Sequence, residues 1–396
     1  MNALLNEICG KYTIPQETKA AGIYPYYKPI SSGQDPIVKM ADGSSVMMFG
    51  SNSYLGLSDD PRLKEAAIKA IEKYGTSCSG SRFLNGTLDI HEELEEKVAR
   101  FVGKDQAVTF STGFQVNLGV ISALGFRGGY ILLDDTDHAC IIDGSRLSWS
   151  TVYKFKHNDM DALEKKLKAC EPDAPKMIVV DGVYSMLGDL CPLPQICELA
   201  EKYNASVMVD DAHGLGVFGK NGSGTADYFG LTDKVDLIMG TFSKSFGSLG
   251  GFIAGSEPVI NYLKHNARSL IFSASMTPAA VAAASKALDI MQSEPERIEH
   301  LWDITRYAHA KFRENGFDIN ATQSPIIPLM VRDTRKAMQI VTLAYNEGVF
   351  ITPVIAPAVP EKDVLIRFAL MATHTKEHID IAVEKLTKIF KQLGVI

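Results

Sequence analysis

Short uninterrupted apolar runs punctuate the middle of the chain: AVTF at 107–110, YILL at 130–133, MIVV at 177–180, SVMV at 206–209 and LIM at 237–239. The last three lie roughly 29 residues apart, about the length of one strand–helix–strand unit. Continuous runs, rather than alternating ones, mark strands buried on both faces. The pattern therefore predicts a mainly parallel sheet covered by helices. Ahead of it, Leu63, Ala66, Ala67, Ala70, Ile71 and Tyr74 fall at helical spacing, with Asp60 to cap, Pro61 in the first turn and Gly75 to stop. A second helix starts near Asp89, carries Leu94, Val98 and Phe101 on one face, and stops at Gly103.

From about residue 290 the pattern changes. A helix over 297–315 precedes a strand near 324–331. A helix over 334–346, strands near 349–353 and 364–370, and a terminal helix over 376–393 follow. These predict a smaller α+β domain. The organisation expected is an irregular N-terminal arm over 1–45, a large domain over 46–289 and a small C-terminal domain over 290–396.

The 396 residues are 46% apolar and 22% charged, ordinary for a globular protein. The net charge of −7 gives no basic face for nucleic acid. The N-terminus shows no basic start followed by an apolar core, and no apolar stretch reaches the ~18–20 residues that span a bilayer. The six cysteines (Cys9, Cys78, Cys140, Cys170, Cys191, Cys197) form no CxxC pair, and no His cluster has zinc spacing. The expectation is a cytoplasmic protein with idle thiols and no metal.

Ligands of α/β sheets sit beyond the carboxyl ends of the strands. There the sequence places Ser111-Thr-Gly-Phe-Gln115, Asp134-Asp-Thr-Asp-His138, Asp181-Gly-Val-Tyr-Ser-Met186, Asp210-Asp-Ala-His213 and Gly240-Thr-Phe-Ser-Lys-Ser-Phe-Gly247. This set suits an aldehyde cofactor bearing a phosphate. Lys244 can form the imine. Asp210 can keep a pyridine nitrogen protonated, which makes the ring an electron sink. A histidine can stack on the ring. Thr241, Ser243 and the amides near Gly113 and Phe114 can hold the phosphate at a helix N-terminus. Taken singly, each has a plainer reading: a solvated lysine, an acidic helix cap, a structural histidine. Their recurrence at successive strand ends favours the chemical one.

The strings SNSYLGL (51–57), GSRFLNGT (80–87), STGFQVNLG (111–119), DHACIIDG (137–144), HND (157–159), DGVYSMLGD (181–189), VDDAHGLGVFGKNGSG (209–224), GTFSKSFGSLGG (240–251) and FSASMTP (272–278) together resemble the α-oxoamine synthase family of fold-type-I pyridoxal-phosphate (PLP) enzymes. That family joins an amino acid to an acyl-CoA, in most members with loss of CO2. The resemblance implies a seven-stranded, mainly parallel sheet and a homodimer with shared active sites. It implies the Schiff base on Lys244, His138 stacked on the ring and beside the substrate carboxylate, and Asp210 on the pyridine nitrogen. His213 and Ser185 would approach the phenolic oxygen. Gly113, Phe114, Thr241 and Ser243 would bind the phosphate, with Ser273 and Ala274 reaching in from the second subunit. Asn52 and Arg367 would bind substrate.

Within the family, GSRFLNGT, STGFQVNLG, GVYSMLGD and GTFSKSFGSLGG look like the soluble bacterial serine palmitoyltransferase branch, which implies L-serine and palmitoyl-CoA as substrates and 3-oxosphinganine as product. Two positions depart from that branch: Ile355 stands where it carries an arginine, and its usual glycine is replaced near Lys362. Cys78 stands where a small hydroxyl residue is common. The alternatives are a sister synthase, such as 2-amino-3-ketobutyrate CoA ligase or 8-amino-7-oxononanoate synthase, a silent partner subunit, or an aminotransferase. Lys244, His138 and Asp210 argue against the silent subunit, and the long matching strings against the aminotransferase. A lipidic product is compatible with weak peripheral membrane contact, though no basic amphipathic helix supports it.

Overall fold

The computed structural model describes residues 3–396. Seven strands form the main sheet, in the order Gln106–Phe110, Gly251–Gly255, Leu237–Thr241, Ser206–Asp210, Lys176–Asp181, Tyr130–Asp134 and Thr151–Phe155. Only Gly251–Gly255 runs antiparallel to its neighbours. The expected mainly parallel α/β sheet is thus present. Two of its strands were not read from the sequence. Thr151–Phe155 lies at an edge and is largely polar, and Gly251–Gly255 has glycine at both ends.

The continuous apolar runs follow from packing on both faces. Ile178, Val180, Val207, Val209 and Ile238 point into one hydrophobic cluster. Met177, Val179, Met208, Leu237 and Met239 point into a second on the opposite face. Side-chain alternation along each strand sends successive residues to opposite layers. Register then aligns the chemistry: Asp181 pairs with Asp210, and Asp210 with Met239. The carboxyl ends of adjacent strands therefore finish level with one another.

Beyond residue 290 the predicted elements appear within a residue or two. They are helices Glu296–Glu314, Thr334–Asn346 and Lys376–Gln392, and an antiparallel sheet ordered Ile326–Met330, Leu365–Ala369, Thr352–Val354. Arg367 sits on the central strand of that sheet, opposite Pro328 and Thr352. Phe49 stacks on Phe368 at 4.1 Å and on His374 at 4.4 Å, which ties the segment before Asn52 to this sheet.

The N-terminal arm differs from the irregular chain expected. It carries helices Ala3–Gly10 and Ile14–Ala20, then strands Ile37–Lys39 and Ser45–Met48. The second strand also pairs in parallel with Val349–Phe350. Gly and Pro spread through residues 21–36 masked these short elements. The first helix buries none of its residues in the single chain, so no core-facing stripe announces it. Among the described residues, no helix is long and apolar enough to cross a membrane.

Candidate active site

Lys244 follows the strand Leu237–Thr241 in a tight turn. Its carbonyl accepts the Gly247 N–H at 3.0 Å, and the Phe242 carbonyl accepts the Ser248 N–H at 2.8 Å. Phe242 and Phe246, both fully buried, anchor the turn and leave Lys244 facing a cavity of about 260 Å³. Gly113, Phe114, His138, Asp210, His213, Thr241 and Ser243 line the same cavity. Eight of the residues singled out from the sequence, Lys244 included, are therefore brought together at the carboxyl edge of the sheet.

Asp210 ends its strand, and its carboxylate is held at both oxygens. Oδ2 accepts from Asn117 Nδ2 at 2.6 Å and Oδ1 from the Ala212 N–H at 3.0 Å. His138 caps helix Ala139–Arg146, with Nδ1 accepting the Cys140 N–H at 3.2 Å. Its own N–H donates to Asp181 Oδ2 at 2.8 Å. His138 keeps an open edge in the single chain, while its ring is part-buried where it lines the cavity.

On another wall, helix Gly113–Leu124 begins at the cavity, capped by Thr112, whose hydroxyl accepts the Gln115 N–H at 3.2 Å. The amides of Gly113 and Phe114 are among the first of the helix and lack intrahelical acceptors. Thr241 and Ser243 add hydroxyls 2.9 Å apart. A Cβ on Gly113 would stand 2.8 Å from Thr241 Oγ1, so the cradle is closed to a larger residue without a shift.

Asn52, His213 and Arg367 converge on a residue not singled out from the sequence. The hydroxyl of the fully buried Tyr54 lies 2.7 Å from His213 Nδ1, accepts from Arg367 Nη2 at 3.1 Å and reaches Asn52 Oδ1 at 3.5 Å. Ser185 joins this group through its backbone, its carbonyl accepting from Arg367 Nε at 2.8 Å. Within one chain, Ser273 and Ala274 contact Gln115 and Ser111, beside the Thr112 cap, rather than lining the cavity. Ile355 packs its half-buried side chain against the main hydrophobic cluster, and Lys362 is exposed, with its ammonium 4.0 Å from Asp363.

Burial sets the charge states. It pulls the Lys244 ammonium down to about 8, against the opposing charges of Asp210 and Asp181. It holds the His138 imidazole below its ordinary value, and drives His213 well below, with Lys244, Arg367 and His138 adding to the effect. A lysine poised near neutrality faces a fixed carboxylate and two neutral imidazoles. Perturbed groups gathered in a cleft are the usual mark of a reactive site.

Behind the cavity, His157 bridges two carboxylates, with Nδ1 3.0 Å from Asp134 and Nε2 2.8 Å from Asp189. Tyr54, Asn117, Cys140 and His157 all lie inside the matching strings, but most of their partners are distant in sequence. Only the fold shows what they touch.

Among the described residues no group of His, Cys, Asp and Glu is arranged to hold a metal ion. The donor set does fit PLP. It offers an amine of lowered basicity, a fixed carboxylate for a ring nitrogen, a flat imidazole over the space between, and a glycine-opened helix N-terminus with two hydroxyls for a phosphate.

Comparison with known proteins agrees with this geometry. The family model for class I and II aminotransferases matches residues 44–386. A serine palmitoyltransferase of Bacteroides thetaiotaomicron is 61% identical over 393 residues, 99% of this chain and 100% of that protein. One from Sphingobacterium spiritivorum is 58% identical over 391 residues, 99% of this chain and 98% of that protein. A solved serine palmitoyltransferase from S. paucimobilis, with a bound PLP–myriocin aldimine, superposes with a TM-score of 0.96 at 33% identity, covering 99% of this chain and 100% of that one. The chain belongs to the class I and II aminotransferase family and, within it, to the α-oxoamine synthase group that holds the bacterial serine palmitoyltransferases.

Proposed function

We propose that the chain condenses L-serine with palmitoyl-CoA, giving 3-oxosphinganine, CoA and CO2, with PLP carried on Lys244. The observation that supports this best is the Lys244 amine, poised near neutrality between Asp210, His138 and His213 in a chain 61% identical over its length to a serine palmitoyltransferase. When bound, PLP supplies an electron-withdrawing ring that accepts the electron pair left on the amino acid's α-carbon.

The chain's own groups do the rest. With PLP bound, Lys244 Nζ would take the α-proton, and its lowered basicity suits that task near neutral pH. Asp210 keeps the ring nitrogen protonated, and Asn117 and Ala212 hold its carboxylate in place. His138 would cover the ring. Thr241, Ser243 and the amides of Gly113 and Phe114 anchor the phosphate. Arg367 and Asn52, steadied by Tyr54, receive the serine carboxylate. The serine α-carbon then bonds to the thioester carbonyl as the C–S bond breaks and CoA leaves. Loss of the carboxylate as CO2 and return of a proton to the α-carbon complete the balance.

Ser273 and Ala274 complete the phosphate site of a partner subunit, so the working unit is a homodimer. Six free cysteines, four of them buried, suit a reducing cytoplasm. Ile355 favours a second reading: a sister synthase of the same chemistry that orients its carboxylate without that extra arginine. Free-thiol release tests both, pairing serine, glycine and alanine with palmitoyl-, acetyl-, pimeloyl- and succinyl-CoA. Turnover confined to serine and palmitoyl-CoA is expected. Preference for another pair moves the enzyme to a sister activity, and no release from any pair refutes the condensation.

A further inference from the structure

Two buried side chains connect the groups that face the cavity from different walls. Asn117 lies on helix Gly113–Leu124 with no exposed surface. Its Nδ2 donates to Asp210 Oδ2 at 2.6 Å and to Cys140 Sγ at 3.0 Å. A carboxamide nitrogen carries two hydrogens and can make both bonds at once. Turning the amide over would aim its oxygen at the Asp210 carboxylate, so the carboxylate fixes its orientation. Oδ1 is left buried without a hydrogen-bond partner, a cost that a purely structural asparagine has no reason to carry.

Cys140 continues the link. Its Sγ lies 2.8 Å from His138 Nδ1, and its N–H donates to the same nitrogen at 3.2 Å. A ring nitrogen that accepts a backbone N–H must present a lone pair. The ring proton therefore resides on Nε2. The charged groups that bear on the His138 ring are Asp210 and Lys244, and Asp181 holds its backbone N–H. Burial also keeps the Cys140 thiol protonated, pushing it well above its ordinary range, so its hydrogen is available to donate.

We propose that Asn117 and Cys140 are positioning residues that tie the Asp210 carboxylate to the His138 ring and fix His138 as an Nε2–H donor over the cavity. The pair links Asp210, which would meet a ring nitrogen, to His138, which would cover the ring face. This inference rests on the PLP reading above.

The test begins in the apoprotein, where it needs no cofactor. Ring nitrogen shifts of labelled histidine, with His138 assigned by its loss in His138→Gln, report tautomer and titration directly. The parent should show Nε2–H alone. Cys140→Ala keeps the backbone N–H on Nδ1 and so the Nε2–H tautomer, but loses the thiol contact and should raise the His138 titration toward its ordinary value, and Cys140→Ser should restore the parent titration. In the holoenzyme, Asn117→Ala should bind PLP about tenfold more weakly and shift the absorbance of the bound cofactor, because Asp210 loses its shorter hydrogen bond. Should Asn117→Ala not fold, the cysteine pair decides alone. An unchanged His138 titration in Cys140→Ala, or a parent protein that shows Nδ1–H, overturns the proposal. A parent protein that takes up no PLP overturns the reading beneath it, and is distinguishable because the apoprotein measurement does not depend on the cofactor.

Discussion

His157 is a support whose removal should be costly. Its two ring nitrogens are both engaged, with Asp134 at 3.0 Å and Asp189 at 2.8 Å. The Asp134 side chain is fully buried and that of Asp189 is 17% exposed. Burial alone would lower the imidazole, but the hydrogen bonds and charges of Asp134 and Asp189 outweigh it and raise His157 to about 10. Asp134 is held below its usual range: the His157 bond and charge outweigh the burial that would raise it. Moving an imidazole from 6.5 to about 10 corresponds to at most about 5 kcal/mol of preference for the charged form. Breaking a buried pair by deleting one partner costs a similar ~3–5 kcal/mol. His157→Ala should therefore lose about 3–5 kcal/mol in urea unfolding, read as a lower midpoint at unchanged slope.

The pH dependence has a definite sign. His157 titrates higher folded than unfolded, so its contribution is complete below the unfolded value near 6.5 and is lost as pH rises through about 10. Asp134 titrates lower folded than unfolded, so its contribution is present above 3.8 and fades on acidification below that. The parent's stability advantage over His157→Ala should be largest between about pH 4 and 6.5 and shrink toward pH 10. A difference below about 1 kcal/mol, or one that grows from pH 7 to pH 10, would refute the charged bridge.

Tyr54→Phe removes the hydroxyl shared by His213 and Arg367 while keeping the buried ring. It should lower kcat/KM for the amino acid by about 10–100-fold, mostly through KM, and an effect within twofold would show that Arg367 needs no such support. Gly113→Ala places a methyl 2.8 Å from Thr241 Oγ1 and should weaken PLP binding by about tenfold, measured by cofactor titration; unchanged affinity would place the phosphate elsewhere.

The sheet was legible because both its faces are buried. A strand covered on two sides must be apolar throughout, and such runs stand out between helices. The edge strand Thr151–Phe155 escaped notice because its residues are mostly part-exposed. The helices at 3–10 and 14–20 escaped because they bury nothing in the single chain. The cavity was legible for a related reason. Asp210, Thr241 and the Gly113 turn directly follow or end apolar runs, so their place at one edge follows from the topology of a parallel sheet. Tyr54 and Asn117 carry no such mark. Tyr54 meets Arg367 across 313 positions, and Asn117 sits in mid-helix, where its partners Asp210 and Cys140 come from other elements. A polar residue whose partners are all tertiary looks from sequence like any solvated polar residue.

The same topology that makes the site also creates an electrostatic problem. Level strand ends bring Asp134, Asp137, Asp181 and Asp210, all nearly or fully buried, to one edge of the sheet. Four buried carboxylates cannot all remain ionised without counter-charges, and each is resolved differently. Asp134 takes the His157 cation. Asp137 and Asp181 are driven well above the carboxylate range, by burial first and then by their acidic neighbours Asp181 and Asp210 respectively. Asp210 is held by Asn117 and the Ala212 amide, and faces the Lys244 amine across the cavity. Asp210 and Asp181 both line the cavity; Asp210 has the Asn117 and Ala212 donors and faces the Lys244 amine, while Asp181 is pushed toward neutrality and Asp134 is paired with a cation. That division follows from which partners the loops after each strand supply.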